Sequence, residues 1–542
     1  MRSRATGTSE RLSERGDQRI ETRSPSPRCK LPASRYPAAL ADPAPRVASL
    51  IPALLLSACA TAAQPALPTT AVPPPAPPVR DRLAAGIVTV RVSGQDWNWK
   101  TPWAKQAPWT RSMTGLVVPG PRILVASAGL GNQLLIEVQK DGREARPPAR
   151  LVRVDHEGPL GLIEVPEPEF WSGLAPLPLA EEAPASGPAT IHRWSRSGRL
   201  DSGGGTVRQV RAGRHGLSRV SLLTLDVTTS MEGGGDSEVV VATGDGEVAG
   251  LVTGRSGDQL AVMASPVLRQ FLADAGSGAY RGFARAGIGW QDLTNPDLRA
   301  ALGLAEGEGG VRLTRVLPHG GGAEVLEAGD VVLEIAGRAL DPTGQFEHPL
   351  YGRMAFPILL TDGRRPGDAV PMVVLHDGER RRVVVTLKRM PAEDDRIPPY
   401  VFDRGPDYAV VGGLVFQELS GPYLSTWGDW GRRAPPRLLV AYDREGMDPS
   451  PERPRIVLLT SVLPDPANLG YQDLRDFIVD TVNRRPVGSM DDLRRAFREP
   501  RDGFHVVEFV PGQTPRRVVL DAAEGEAAAS RIRAAYGVPA GP

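Results

Sequence analysis

The chain has 542 residues, with 64 Lys and Arg against 63 Asp and Glu, and a net charge of +1. That balance excludes a broad basic field for nucleic acid, and the length fits about three or four domains rather than one. With 41% hydrophobic residues the chain can build ordinary cores, while 60 glycines, 53 prolines and only 5% aromatics favour short strands and turns over long helical bundles.

The N-terminal 45 residues are polar and rich in Arg, Ser and Pro. Val47–Leu56 is then an apolar run preceded by Arg46 and followed by Ser57-Ala58-Cys59. It is too short for a stop-transfer helix and has the length of a signal peptide. Its ending, Leu56-Ser57-Ala58-Cys59, resembles the bacterial lipobox, which implies that Cys59 becomes the acylated first residue of the mature protein. Residues 1–59 are accordingly expected to be an N-terminal extension and lipoprotein signal peptide. The resemblance implies a lipid anchor in the cell envelope; Ala60 in place of aspartate points to the outer membrane, facing the periplasm. The other cysteine, Cys29, also precedes the first strand, so the folded body has no disulfide, Cys-x-x-Cys site or thiol nucleophile. No metal and no cofactor are expected. Residues 60–81 include Pro73-Pro74-Pro75 and Pro77-Pro78 and read as a stiff polyproline tether.

From 82 to 276 short β-type runs alternate with turns: Ile87–Val92, Thr114–Val118, Leu134–Val138, Leu160–Val165, Val220–Asp226, Glu238–Ala242 and Val248–Val252. That spacing predicts an all-β barrel or sandwich, closed by a helix with Val267, Leu268, Phe271 and Leu272 on one face. A second module spans 282–390, with strands at Gly310–Val316 and Asp330–Ile335 and a hairpin around Asp377-Gly378. A third, 399–525, repeats this grammar through Val411–Gln417, Ile456–Val462, Phe477–Val482, a helix near Asp491–Phe497 and Phe504–Val510. Residues 526–542 are read as a C-terminal tail. Two similar modules of about a hundred residues suggest an array rather than one large enzyme domain.

Several stretches resemble the HtrA/Deg serine proteases, in their plant-type form, over most of the body. They are Asn98-Trp99-Lys100-Thr101-Pro102-Trp103, Glu169-Phe170-Trp171-Ser172-Gly173, Gly287-Ile288-Gly289-Trp290-Gln291 with Asn295-Pro296-Asp297-Leu298-Arg299, Gly412-Gly413-Leu414-Val415-Phe416, and Gly421-Pro422-Tyr423-Leu424. The resemblance implies a mainly β fold: a trypsin-like double β-barrel followed by two PDZ-like domains.

Acyl transfer in such a fold needs an imidazole base, a carboxylate that orients it, a serine, and backbone donors for the oxyanion. On the family pattern, the histidine position after Arg122–Ser127 is Ala128, and the aspartate position before Leu160-Gly161-Leu162-Ile163 is Pro159. The family spacing back from Gly250 puts the nucleophile at Ser237 within Gly235-Asp236-Ser237; an ungapped count from Asp226 gives Gly234 instead. Glu238-Val239-Val240 follows where the family has Gly-Gly-Pro, which places a carboxylate where negative charge would develop. His156, His192 and His215 are read as isolated surface histidines. A degenerate, catalytically inactive protease fold is expected; an active endopeptidase using Ser237 with an unconventional base is the alternative, and a structural lipoprotein that binds no peptide is a further one.

The PDZ-like modules keep more of their machinery. The resemblance implies that Gly287, Ile288, Gly289 and Trp290, and Gly412, Gly413 and Leu414, present backbone N–H groups to a peptide carboxylate, with glycine freedom at Gly287 and Gly289. The partners implied are unfolded or C-terminal peptide segments and a membrane through the lipid anchor, with no nucleic acid and a trimer-based homo-oligomer.

Overall fold

The computed structural model describes residues 78–540 apart from 141–142, 196, 234–238, 243–245 and 277. Cys59, the proline-rich tether, Gly234 and Ser237 therefore lie outside the described residues.

After a short helix, α1 (Val79–Gly86), six strands close a first barrel: β1 (Ile87–Gly94), β2 (Trp109–Val118), β3 (Arg122–Ala126), β4 (Gln133–Gln139), β5 (Pro148–Asp155) and β6 (Leu160–Glu164), in the order β1-β2-β3-β6-β5-β4. Alternation does the work here. Val88, Val90 and Val92 of β1 point inward with Ile123, Val125, Ile136 and Val138 to form its core. A second closed barrel follows, from β7 (Gly187–Trp194), β8 (Leu200–Gly213), β9 (Leu222–Thr229), β10 (Val239–Ala242), β11 (Val248–Ser256) and β12 (Gln259–Ala264), ordered β10-β11-β12-β9-β8-β7. Closure leaves neither sheet an open edge. The expected helix is α2 (Ser265–Ala275), which buries Val267, Leu268 and Phe271.

The first PDZ-like module holds β13 (Ile288–Gln291), α3 (Pro296–Ala301), β14 (Val311–Val316), β15 (Val331–Ile335), β16 (Arg338–Ala339), β17 (Gln345–His348), β18 (Gly352–Ala355), β19 (Ala369–His376) and β20 (Glu379–Thr386). Its sheet runs β13-β14-β15-β19-β20 with β16 on β15. Asp377 and Gly378, both at positive φ (+48° and +82°), make the tight β19–β20 turn that the Asp-Gly pair predicts. The core of the second barrel continues into this module through one buried cluster that includes Phe271, Phe283 and Phe356.

The C-terminal PDZ domain holds β21 (Tyr408–Val411), β22 (Leu414–Glu418), α4 (Gly421–Ser425), α5 (Trp430–Arg433), α6 (Pro436–Glu445), β23 (Val457–Val462), β24 (Phe477–Val482), β25 (Arg485–Pro486), α7 (Met490–Phe497), β26 (Phe504–Phe509), β27 (Arg517–Asp521) and α8 (Ala522–Tyr536). The stretch read as a tail from 526 is the body of α8. Ala528 and Ile532 are buried there, Arg531 pairs with Asp465 at 2.7 Å, and Gly537 ends the helix at φ +64°. Among the described residues no helix is long and apolar enough to cross a membrane.

Candidate functional site

Strand β3 ends at Ala126, opposite Leu160 of β6, and a single 3-10 turn, Ser127–Gly129, follows. That register brings the two segments of interest together just beyond the paired residues. The Ser127 N–H donates to the Pro159 carbonyl at 2.9 Å. Ala128 is exposed, and its carbonyl accepts from Arg111 Nη1 at 3.1 Å. The positions assigned by resemblance to base and carboxylate are therefore neighbours, occupied by a methyl group and a pyrrolidine ring. Neither can take or give a proton. Strand β10 starts two residues beyond Ser237, at Val239.

The three histidines are not isolated surface groups. His192 lies on β7 opposite Val239; it is buried, and both ring nitrogens are bonded, Nδ1 to Ser202 Oγ at 2.8 Å and Nε2 to Thr190 Oγ1 at 2.9 Å. Burial lowers its pKa to about 4. His215 is buried between Thr224 (2.7 Å) and Thr253 (2.6 Å) and is likewise lowered to about 4, by burial first and then by Arg211. His156, in the β5–β6 turn, packs its ring against Phe402 (4.2 Å) and Tyr400 (5.4 Å); burial lowers its pKa against the opposing pull of Asp155 and Asp403. Barrel cores need polar groups to be satisfied, and these threonine and serine partners do that.

Those aromatic partners belong to the segment joining the two PDZ modules, which runs across the first barrel as a strap. Phe402 covers Gly131, where any β-carbon would enter its ring. Asn132 and Asp403 bond each other through both backbone amides, at 2.9 and 2.8 Å. Trp97 packs against Gly405. Phe402 thus sits between the segment that follows Ala128 and the turn that precedes Pro159. Beneath the strap is a buried charged cluster: Arg219 pairs with Asp395, and Glu157 accepts the Arg219 N–H at 2.8 Å. Burial pushes the Asp395 carboxyl up to about 6 although Arg219 and Arg285 oppose it. Beside it, the Tyr280 hydroxyl donates to Asp155 at 2.5 Å. Chain periodicity carried no sign of the strap, since the contacts that hold it to the barrel are with residues distant in sequence.

In the first PDZ-like module β13 is an edge strand, so its outer side is open to an added strand. Gly287, just before it, sits at φ +73°, and a β-carbon there would lie 2.5 Å from Gly320 Cα. Gly289 lies within β13 without a positive φ, so the glycine requirement belongs to Gly287 alone. Among the described residues, the amides of Ala286 and Gly287 donate to no protein acceptor. A groove of about 540 Å³ runs beside them, and Ile288, Gly289, Trp290, Phe356 and Leu360 are among its lining residues. Trp290 meets Phe356 edge-on at 5.0 Å.

The C-terminal PDZ domain differs at the corresponding place. Its sheet, β22-β23-β24-β26-β27 with β25 on β24, repeats the order of the first module, so β22 corresponds to β13. Here, however, β21 already pairs with β22, and Gly412 and Gly413, at φ +53° and +86°, are the two-residue turn between them. Asn468 Nδ2 pins that turn through the Gly412 and Leu463 carbonyls at 2.9 and 2.8 Å, and Arg494 of α7 clamps Asp407 just before β21. Gly412, Gly413 and Leu414 are hairpin residues, and the edge they were expected to offer a peptide is filled by the chain itself.

A PDZ-domain family model matches residues 397–541. Protease Do-like 2, chloroplastic, of Arabidopsis thaliana is 24% identical over 452 residues, which is 82% of this chain and 72% of that protein. Protease Do-like 4, mitochondrial, of the same plant is 23% identical over 397 residues, 72% of each. The chain is a homologue of the HtrA/Deg serine proteases. Among solved structures, the HtrA-type protease AlgW with decapeptide is 15% identical, covering 57% of this chain and 98% of its own at a TM-score of 0.43.

Within this HtrA/Deg homologue the two candidate sites have opposite character. The barrel site offers no titratable side chain at positions 128 and 159 and carries an aromatic strap alongside. The first PDZ-like groove offers a free strand edge, unused amides and a mixed lining in which Trp290, Phe356 and Leu360 stand with Arg214, Arg219 and Arg285.

Proposed function

We propose that this HtrA/Deg homologue is a peptide-binding scaffold without peptidase activity, attached to the bacterial cell envelope by a lipid on Cys59 and acting in protein quality control. The observation that carries the proposal is the Ser127–Pro159 backbone bond at the end of the first barrel, which sets Ala128 beside Pro159 where the family pattern has base and carboxylate. A serine hydroxyl with no base beside it is a weak nucleophile at neutral pH. The doubly bonded His192 and His215 supply no substitute, and the strap over Gly131 and His156 narrows access further. Peptide capture is assigned to the first groove, where an extended segment would add to β13 and its terminal carboxylate would meet the Ala286 and Gly287 amides.

The decisive test incubates the purified protein with unfolded casein and with a fluorophosphonate probe. No cleavage and no labelling are expected. Casein cleavage that vanishes in Ser237→Ala would replace this proposal with an active serine endopeptidase.

A further inference from the structure

The groove of the first module is not built by that module alone. Helix α6 belongs to the C-terminal PDZ domain, where Leu438 and Ala441 are buried and Tyr442 packs edge-on against Trp430 at 5.0 Å. Its end nevertheless reaches the first module: Arg315 of β14 donates to the carbonyls of Asp443 and Arg444, both at 3.1 Å, and His319 lies 3.3 Å from the Pro449 carbonyl. Tyr442, Asp443 and Met447 thereby line the same groove as Ile288, Phe356 and Leu360. Arg315 is the residue opposite Gly289 in the β13–β14 pair, so α6 is tied down level with the open edge.

Successive side chains of an extended strand point to opposite faces. A groove with one apolar wall therefore reads alternate residues of its ligand, and a groove with two walls reads consecutive ones. Resting on the peptide-binding role proposed above for this groove, we infer that it is a two-walled slot for a chain end whose last two residues are both apolar. The final side chain packs against Phe356 and Leu360 of the first module, and the penultimate one against Tyr442 and Met447 of the second. Arg214, Arg219 and Arg285 also line the groove, but the exposed carboxylate on the wall that carries Tyr442 and Met447 is Asp443, which disfavours an acidic penultimate residue there. Specificity for the chain end is thus shared between two domains.

The test uses the full chain and fluorescein-labelled decapeptides that differ only at the penultimate position, ending in Leu-Val, Ser-Val or Asp-Val with a free carboxylate, read by anisotropy. The Leu-Val peptide is expected to bind about tenfold more tightly than Ser-Val, the worth of one buried aliphatic side chain, and Asp-Val more weakly than both. Met447→Ala should reduce the Leu-over-Ser preference to about threefold or less, with an unchanged thermal melt reporting that the fold is intact. Asp443→Asn should recover Asp-Val binding without altering the Leu-to-Ser ratio. A Leu-over-Ser ratio as large in Met447→Ala as in the wild type would overturn the two-walled slot alone. If none of the three peptides binds, the peptide-binding role falls with it.

Discussion

Asn132 and Asp403 hold each other through two reciprocal hydrogen bonds, each backbone amide donating to the other residue's side-chain oxygen, at 2.9 and 2.8 Å. Residue 132 follows the candidate base position by four, and residue 403 lies in the strap between the PDZ modules. One polar clip therefore fixes the C-terminal half of the chain to the face of the first barrel. Asp403 sits at φ +61°, a conformation that aspartate tolerates better than most side chains.

Asp403→Ala removes the carboxylate that accepts the Asn132 amide, leaves the residue-403 amide able to donate to Asn132, and places alanine at an unfavourable φ. A loss of about 1–3 kcal/mol in stability is expected, together with faster amide hydrogen exchange across residues 399–407. Exchange in β23 should not change. Unaltered exchange in the strap would show that Phe402 and Tyr400 hold it without the clip.

Ala128→His should not restore proteolysis. An imidazole at 128 would have the ring of Pro159, rather than a carboxylate, at the neighbouring position. Casein turnover by this single variant, above that of the wild type, would mean that another group orients the base.

Gly287 and Gly289 should respond differently to valine. Gly287→Val combines a positive φ with a contact against Gly320 and should abolish peptide binding, with about 2 kcal/mol or more of destabilisation. A β-carbon at Gly289 would lie 3.3 Å from Thr314 Oγ1 and 3.4 Å from Arg315 Cβ, with no backbone atom closer than 3.8 Å, so the module should fold in Gly289→Val with a small change in melting temperature. Thermal melts and anisotropy on the two variants separate these outcomes.

The buried Asp395 should make stability depend on pH. Its pKa rises from 3.8 to about 6 on folding, so the folded chain holds this proton more tightly than the unfolded chain. The associated stability is fully present below about pH 4 and is lost as pH rises through 6, a change of at most about 3 kcal/mol. Asp395→Asn lacks this proton and keeps an acceptor for Arg219. The variant should therefore gain relative to wild type between pH 4 and 7 in denaturant titrations. A constant difference across that range would remove Asp395 from the account.

Cys59→Ser should release the protein from the membrane fraction or block its processing, because a proline-rich tether supplies no other anchor. Unchanged partitioning, with no fatty-acid label on the wild type, would argue against a lipoprotein.

Alternating apolar residues made β1, β6, β11, β14 and β23 legible in the sequence to within a few residues, and the Val267/Leu268/Phe271 face gave α2 away. Such elements are specified by local pattern. The strap was not legible, because Phe402, Asp403 and Gly405 acquire their roles only from Gly131, Asn132 and Trp97, some 270 or more positions earlier. Histidine burial was hidden for a related reason: although Thr190 shares strand β7 with His192, Ser202 comes from β8, and the partners of His215, Thr224 and Thr253, come from β9 and β11. Ala128 and Pro159 could be placed by resemblance, whereas their adjacency is a matter of β3–β6 register. Helix α6 was not read from the sequence, and nothing local linked it to a groove in another module.

The pairing of β21 with β22 has a consequence for competition. Two residues separate the strands, so β21 faces its edge at an effective concentration of the order of millimolar or above. A dissolved peptide at micromolar levels would have to displace a competitor that never diffuses away. On the proposed peptide-binding role, the β22 edge would respond little to how much ligand its surroundings contain, whereas the first groove, with no tethered competitor on β13 among the described residues, would respond to the supply of free chain ends.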